Sequence, residues 1–236
     1  MSRHVGIVKP KPLQIIGELM ITAGAILLLF VVWQVYINDP VVGSKQQSEA
    51  NQYEANSSEV AEKEYAFEQP SNKLAQGKVF GKIYIPRFGN DYVRLLGQGT
   101  LQKVTLNTVG VGHYLRTQWP GEVGNFAVAA HRTSHGAPFS DIDQLREGDR
   151  IYVETNDSWF TYIYRQTKIV KPTDVGVIDR VPEGMDSAVP GGKYLTLTSC
   201  HPKWSNAERI IVWLEQIEER PATSGMPLAL KEVRGE

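Results

Sequence analysis

The sequence predicts a mainly β domain, a small barrel or sandwich with short helices, standing behind one membrane-spanning helix. Three observations carry this. Residues 13–38 are almost wholly apolar, residues 39–76 are polar and poor in large apolar side chains, and residues 77–219 alternate strand patterns with Gly, Pro, Asn and Asp.

The apolar run comes first. Glu18 is its one charge, and residues 19–38 carry none. A helix needs about 20 such residues to cross a bilayer and satisfies its own backbone groups there. Arg3, Lys9 and Lys11 precede the run and Asp39 follows it, which predicts residues 1–12 in the cytoplasm and the remainder outside. A cleaved signal peptide is the alternative. Its apolar core is shorter, about 7–15 residues, and ends at a small-residue site, whereas this run ends in WQVYINDP. An uncleaved, single-pass signal anchor in the cell membrane is the expectation.

Residues 39–76 bury too little to offset the entropy of ordering, so a flexible stalk is expected, with a helical patch at 57–68. Asn56-Ser-Ser matches a glycosylation sequon only weakly. The folded domain is expected over 77–219, enough chain for one core. KVFGKIYIPRF, NFAVAAH, the pair of strands around Asn156-Asp157, KYLTLTSC and RIIVWLEQI read as strands. GTLQKVTL and APFSDIDQLREGD read as short helical turns. Residues 220–236 are expected to be a flexible tail. A net charge of −1 gives no sign of nucleic-acid binding.

The chain has one cysteine, Cys200. It therefore forms no internal disulfide and no cysteine-pair zinc site, and a lone thiol is by default a small buried hydrophobe. Its setting argues for more. Period-two alternation puts Tyr194, Thr196, Thr198 and Cys200 on one strand face, with Leu195, Leu197 and Ser199 on the other. Arg209 begins the next strand, so an antiparallel pairing sets Cys200 and Arg209 at the same end. NFAVAA runs straight into His131. Thiol, imidazole and guanidinium each mark a strand end, where catalytic groups are mounted on rigid scaffolds.

TLTSC followed by Arg209, with NFAVAAHRTSHGAPF upstream, resembles the sortases, the cysteine transpeptidases of Gram-positive cell envelopes. GKIYIPRFGNDY, GVGHY, PGEVGNF and FSDIDQLREGDRIYVET add to the likeness, which spans about residues 77–217 and looks most like the class E group of actinobacteria. Ser199 stands where Thr is commoner. The resemblance implies a closed barrel of about eight strands. It implies that Cys200 attacks between Thr and Gly of a Leu-Pro-x-Thr-Gly or Leu-Ala-x-Thr-Gly sorting signal on a surface protein. The thioester then passes to an amine of a peptidoglycan precursor or a pilin lysine. His131 would act as acid and base and Arg209 would stabilise the oxyanion. No cofactor or metal is implied.

Around this trio, His113, Tyr114, Thr198, Ser199 and His135 are candidates for the peptide groove, with a structural role the alternative for His113. His201 is placed on the opposite strand face from Cys200. Asp141, Asp143, Glu147 and Asp149 are read as solvated charges rather than a calcium site. Two other functions stay open. A pilin-polymerising sortase usually carries an Asp-Pro-aromatic lid, and Asp39-Pro40 is followed here by Val. A non-catalytic adhesion module would explain anchor, stalk and β domain, but not the three groups at strand ends.

Overall fold

The computed structural model describes residues 12–59, 74–183 and 191–236. The segment with Arg3, Lys9 and Lys11, and most of the expected helical patch, lie outside them. Helix α1 (Pro12–Trp33) runs through a π turn, Gln34–Asn38, into helix α2 (Asp39–Glu59). Pro40 accounts for the π turn: it has no N–H and its ring crowds the carbonyl four residues back, so the ladder slips. The Asp39 N–H accordingly donates to Gln34 O, five residues back. The α1 stretch is long and apolar enough to cross a membrane, with a mean hydropathy of 2.5 and no buried share.

Eight strands follow: β1 (Val79–Tyr84), β2 (Val93–Gln98), β3 (Gly110–His113), β4 (Gly124–Ala130), β5 (Arg150–Glu154), β6 (Ser158–Val170), β7 (Lys193–His201) and β8 (Glu208–Pro221). They close a barrel in the order β1-β2-β3-β4-β7-β8-β6-β5, as expected from the resemblance. The β2–β3 and β4–β7 pairs are parallel and the rest antiparallel. Alternate residues fill the interior: Phe126 and Val128 from β4, Ile151 and Val153 from β5, Leu195 and Leu197 from β7, Ile210, Val212 and Leu214 from β8. Burying each such side chain contributes about 1.5–3 kcal/mol, so the wall strands cannot slip by one residue without exposing a whole row. β7 lies between β4 and β8 and is hydrogen-bonded on both sides. The helical turns expected near 99–106 and 137–149 appear as a π turn at Gln102–Leu106 and a 3-10 turn at Ile142–Gln144.

Two expectations of flexibility are corrected. Residues 39–59 are helix rather than stalk. Their composition gives little amphipathic signal, because α2 docks through Gln46, Gln47 and the small residues Gly43 and Ala50 instead of an apolar stripe. Residues 220–236 are likewise ordered: Pro221 still pairs with Ser158, and helix α3 (Leu228–Arg234) follows. Met226 and Leu230 pack with Ala50, Tyr84, Leu95, Tyr152 and Trp159. Tyr84, Leu95 and Tyr152 form an apolar outer face on β1, β2 and β5, and α2 and α3 cover it.

Candidate active site

Cys200 and Arg209 are direct cross-strand partners at the end of the β7–β8 ladder, a spacing that brings Cβ atoms to about 4.5–5.5 Å. They lie on the outer face, with Thr198, while Leu195 and Leu197 point inward. β4 runs parallel to β7 with Ala129 opposite Thr198. Extending both strands by two residues sets His131 beside Cys200. The three groups line one pocket of about 210 Å³ with Thr100, Leu106, Tyr114 and Thr198. Cys200 is half-buried, not a sealed core thiol.

His131 is held from two sides. Its Nε2–H donates to Asn107 Oδ1 at 2.8 Å, which leaves Nδ1 as the ring's proton acceptor. The His135 ring stacks on it at 4.9 Å and 26°. Burial, then the neighbouring His135, push the His131 pKa below its ordinary value, while Asp39 pulls it back up. The imidazole is therefore neutral at neutral pH, the form a proton-accepting base needs. Arg209 is half-buried, and its Nη1 donates to Asn206 O and Glu208 O at 2.9 and 2.8 Å. This fixes the head of the side chain and engages one nitrogen of the guanidinium fork.

The candidate groove residues separate. Tyr114 and Thr198 belong to the site: the Tyr114 hydroxyl donates to Thr198 Oγ1 at 3.0 Å, and Thr198 donates on to Val128 O at 3.3 Å. His135 stands beside His131. Ser199 reaches the same wall, but its hydroxyl is committed to Ala130 O at 2.8 Å, tying β7 to β4. His113 does not belong to the groove. It is 1% exposed, bonds Gln98 Oε1 and Gln118 O through its two nitrogens, and packs against Phe80, Trp119 and Phe126. Burial pushes its pKa down to about 4, so it is a neutral structural side chain.

Three residues to which the sequence gives no role in the site support it. Asn107 lies in the β2–β3 segment, where nothing local marks it. Asp39 falls at the start of the stretch whose composition reads as a stalk. Arg132 lies within NFAVAAHRTSHGAPF, where nothing local gives it a role. Arg132 is 3% exposed, pairs with Asp143 at 2.9 Å and bonds His201 Nδ1 at 2.7 Å. It also reaches Cys200 O at 3.4 Å, and so ties the end of β4 to the end of β7. Three of the four acids weighed for calcium are engaged elsewhere: Asp143 with Arg132, Asp149 with Arg87 at 2.5 Å, Asp141 with Lys203 at 3.4 Å. Among the described residues no group of three or more His, Cys, Asp and Glu could hold a metal ion.

Comparisons with known proteins return a single family. The Sortase domain family profile matches residues 83–217. Sortase SrtE1 of Streptomyces coelicolor is 36% identical over 222 residues, covering 91% of this chain and 60% of that protein, so the chain spans under two thirds of that relative's length. Sortase SrtE2 of the same organism is 29% identical, covering 91% of this chain and 86% of its own. Among solved structures, sortase E from Streptomyces avermitilis matches at 40% identity and a TM-score of 0.60, covering 66% of this chain and 99% of that one.

Proposed function

This chain belongs to the sortase family, and its likeness to sortase E chains supports class E; from that premise we propose that it is a membrane-anchored cysteine transpeptidase whose reacting groups are Cys200, His131 and Arg209. The observation that carries this is the register pair Cys200–Arg209 with His131 lining the same pocket. The substrate is a sorting signal of the Leu-Ala-x-Thr-Gly or Leu-Pro-x-Thr-Gly type.

Neutral His131 accepts the thiol proton as Cys200 Sγ attacks the threonine carbonyl carbon. Arg209 stabilises the oxyanion with guanidinium N–H groups; losing one such donor costs about 10²–10³ in rate. The Thr–Gly C–N bond then breaks, the imidazolium gives its proton to the departing glycine amine, and a thioester remains. An incoming amine gives up a proton to His131 and attacks the thioester; the thioester C–S bond breaks, and the sulfur leaves as the Cys200 thiolate, which takes the proton back from the His131 imidazolium. Arg3, Lys9 and Lys11 ahead of the apolar run, with Asp39 after it, support an N-terminus in the cytoplasm and the barrel outside, where surface proteins and peptidoglycan precursors meet.

The test is product analysis with the full chain in detergent, given each peptide and a diamine. Cleavage between Thr and Gly with the diamine joined to Thr is the expected outcome. Cleavage at another bond, or none with either peptide, removes the substrate assignment. The ratio of the two peptides' rates sets the preferred second residue.

A further inference from the structure

The loop after His131 has an unusual backbone. Ser134, His135, Gly136 and Ala137 all adopt positive φ, at 68°, 50°, 79° and 42°. Three of the four carry a Cβ, and left-handed conformations cost a non-glycine residue on the order of 1–2 kcal/mol. Such a run persists only where its surroundings over-determine it. Within the loop, Ala137 N donates to Ser134 O at 2.8 Å and Phe139 N to His131 O at 3.0 Å. The Ser134 hydroxyl also bonds His135 Nδ1 at 3.0 Å, and further restraints come from α2.

Asp39 Oδ2 accepts the Ser134 N–H at 3.0 Å. Gln46 Nε2 donates to His135 O at 3.2 Å. Between them the two backbones touch: a Cβ on Gly136 would lie 3.0 Å from Gly43 N and Cα. Further along, Gln47 bonds Val93 N at 3.2 Å, Asp91 O and Arg94, which fastens the helix to β2. α2 continues the apolar helix without a break, so the segment that leaves the membrane is also the segment that seats this loop.

We propose that Asp39 and Gln46 are positioning residues that hold the His131–Ala137 loop in its working shape, making the juxtamembrane helix part of the active site rather than a tether. This rests on reading His131 as the acid and base. Asp39 then has two effects. Its carboxylate caps the loop, and its charge favours the imidazolium. The other titratable or charged groups around His131 include His135 and Arg132 from its own loop, Tyr114 just after β3, Cys200 from β7 and Arg209 from β8.

The test uses the full chain in lipid nanodiscs with ¹³C-labelled histidine, reading imidazole titrations beside the rate of acyl-enzyme formation. Asp39→Ala loses cap and charge, and acylation is expected to fall about tenfold, the size of one lost hydrogen bond to a charged group. Asp39→Asn keeps an acceptor for Ser134 N–H, so its rate at pH 7 should stay within about twofold of wild type, while the His131 titration moves to lower pH. Gln46→Ala should slow acylation and shift the His135 signal without changing the charge around His131. Lys45→Ala, on the exposed side of the same helix, should match wild type. Wild-type rate and unmoved histidine signals in Asp39→Ala would overturn the proposal, and so would faster acylation, which would make α2 a lid. His131→Ala that still acylates would instead sink the acid–base reading beneath it, whatever Asp39 does.

Discussion

The β7–β8 hairpin and the His131–Ala137 loop bring the proposed reacting groups together by opposite means. Cys200 and Arg209 sit in a ladder bonded on both flanks, over a row of inward Leu, Ile and Val. His131 sits where β4 stops, ahead of a left-handed run that neighbours hold in place. On the proposed roles, the nucleophile and the oxyanion donor are set by register, and the acid–base group by tertiary hydrogen bonds. The second half of the site is accordingly the half that distant substitutions can disturb.

The largest effect tests the ladder half. Arg209→Ala should lower acylation about 10²–10³-fold, and Arg209→Lys should restore only part, since a lysine is a point charge without a fork. Rapid-quench measurement of the acyl-enzyme checks both. A variant with wild-type acylation would remove Arg209 from the oxyanion.

Next comes the contrast between the two lowered histidines. His113 is neutral in the fold down to about pH 4, while in the unfolded chain it takes up a proton near its ordinary 6.5. The unfolded state therefore binds more protons across that window, so stability falls as pH drops from about 6.5 to 4. The loss from this one group is about 3 kcal/mol on its pKa of about 4. Denaturant midpoints at pH 7 and pH 4.5 should differ less in His113→Gln than in wild type. Equal differences would show that His113 does not titrate with folding.

A smaller effect separates stability from chemistry. Leu230→Ala removes a side chain that is 1% exposed beneath Tyr84 and Trp159, and should cost about 2–4 kcal/mol of stability. The acylation rate per folded molecule should be unchanged, because the covered face lies on β1, β2 and β5, away from Cys200. A lower rate at full folding would tie the C-terminal helix to the site.

The smallest effect probes the loop half. Asn107→Ala frees His131 Nε2 and should slow acylation about tenfold or less, as expected for one neutral hydrogen bond. Asn107→Asp puts a charge against the ring and should raise the pH at which activity falls on the acid side. An unchanged pH profile in the Asp variant would mean that the bond is absent in solution.

What the sequence made legible follows the same division. Strand alternation showed which face of β7 carries Cys200, and the short loop to Arg209 showed their shared end, because both depend on local periodicity. Asn107, Asp39 and the tail did not show. Asn107 reaches His131 across 24 positions and Asp39 reaches Ser134 across 95, and no local pattern encodes such a bond. α2 reads as a stalk because it docks with glutamines and small residues, and the tail as flexible because its buried apolar contact comes from only two side chains, Met226 and Leu230. His113, next to a tyrosine that does line the pocket, differs from its neighbour by one step of the strand and so by side of the barrel wall.

The central claim is that Cys200 carries the acyl group, and intact-mass spectrometry of the full chain tests it most directly. After brief mixing with a Leu-Ala-x-Thr-Gly or Leu-Pro-x-Thr-Gly peptide, the chain should gain the mass of the peptide ending at Thr. Hydroxylamine should remove that mass, and Cys200→Ala should never show it. The same adduct on Cys200→Ala, or none on the wild-type chain while cleavage proceeds, would contradict the account.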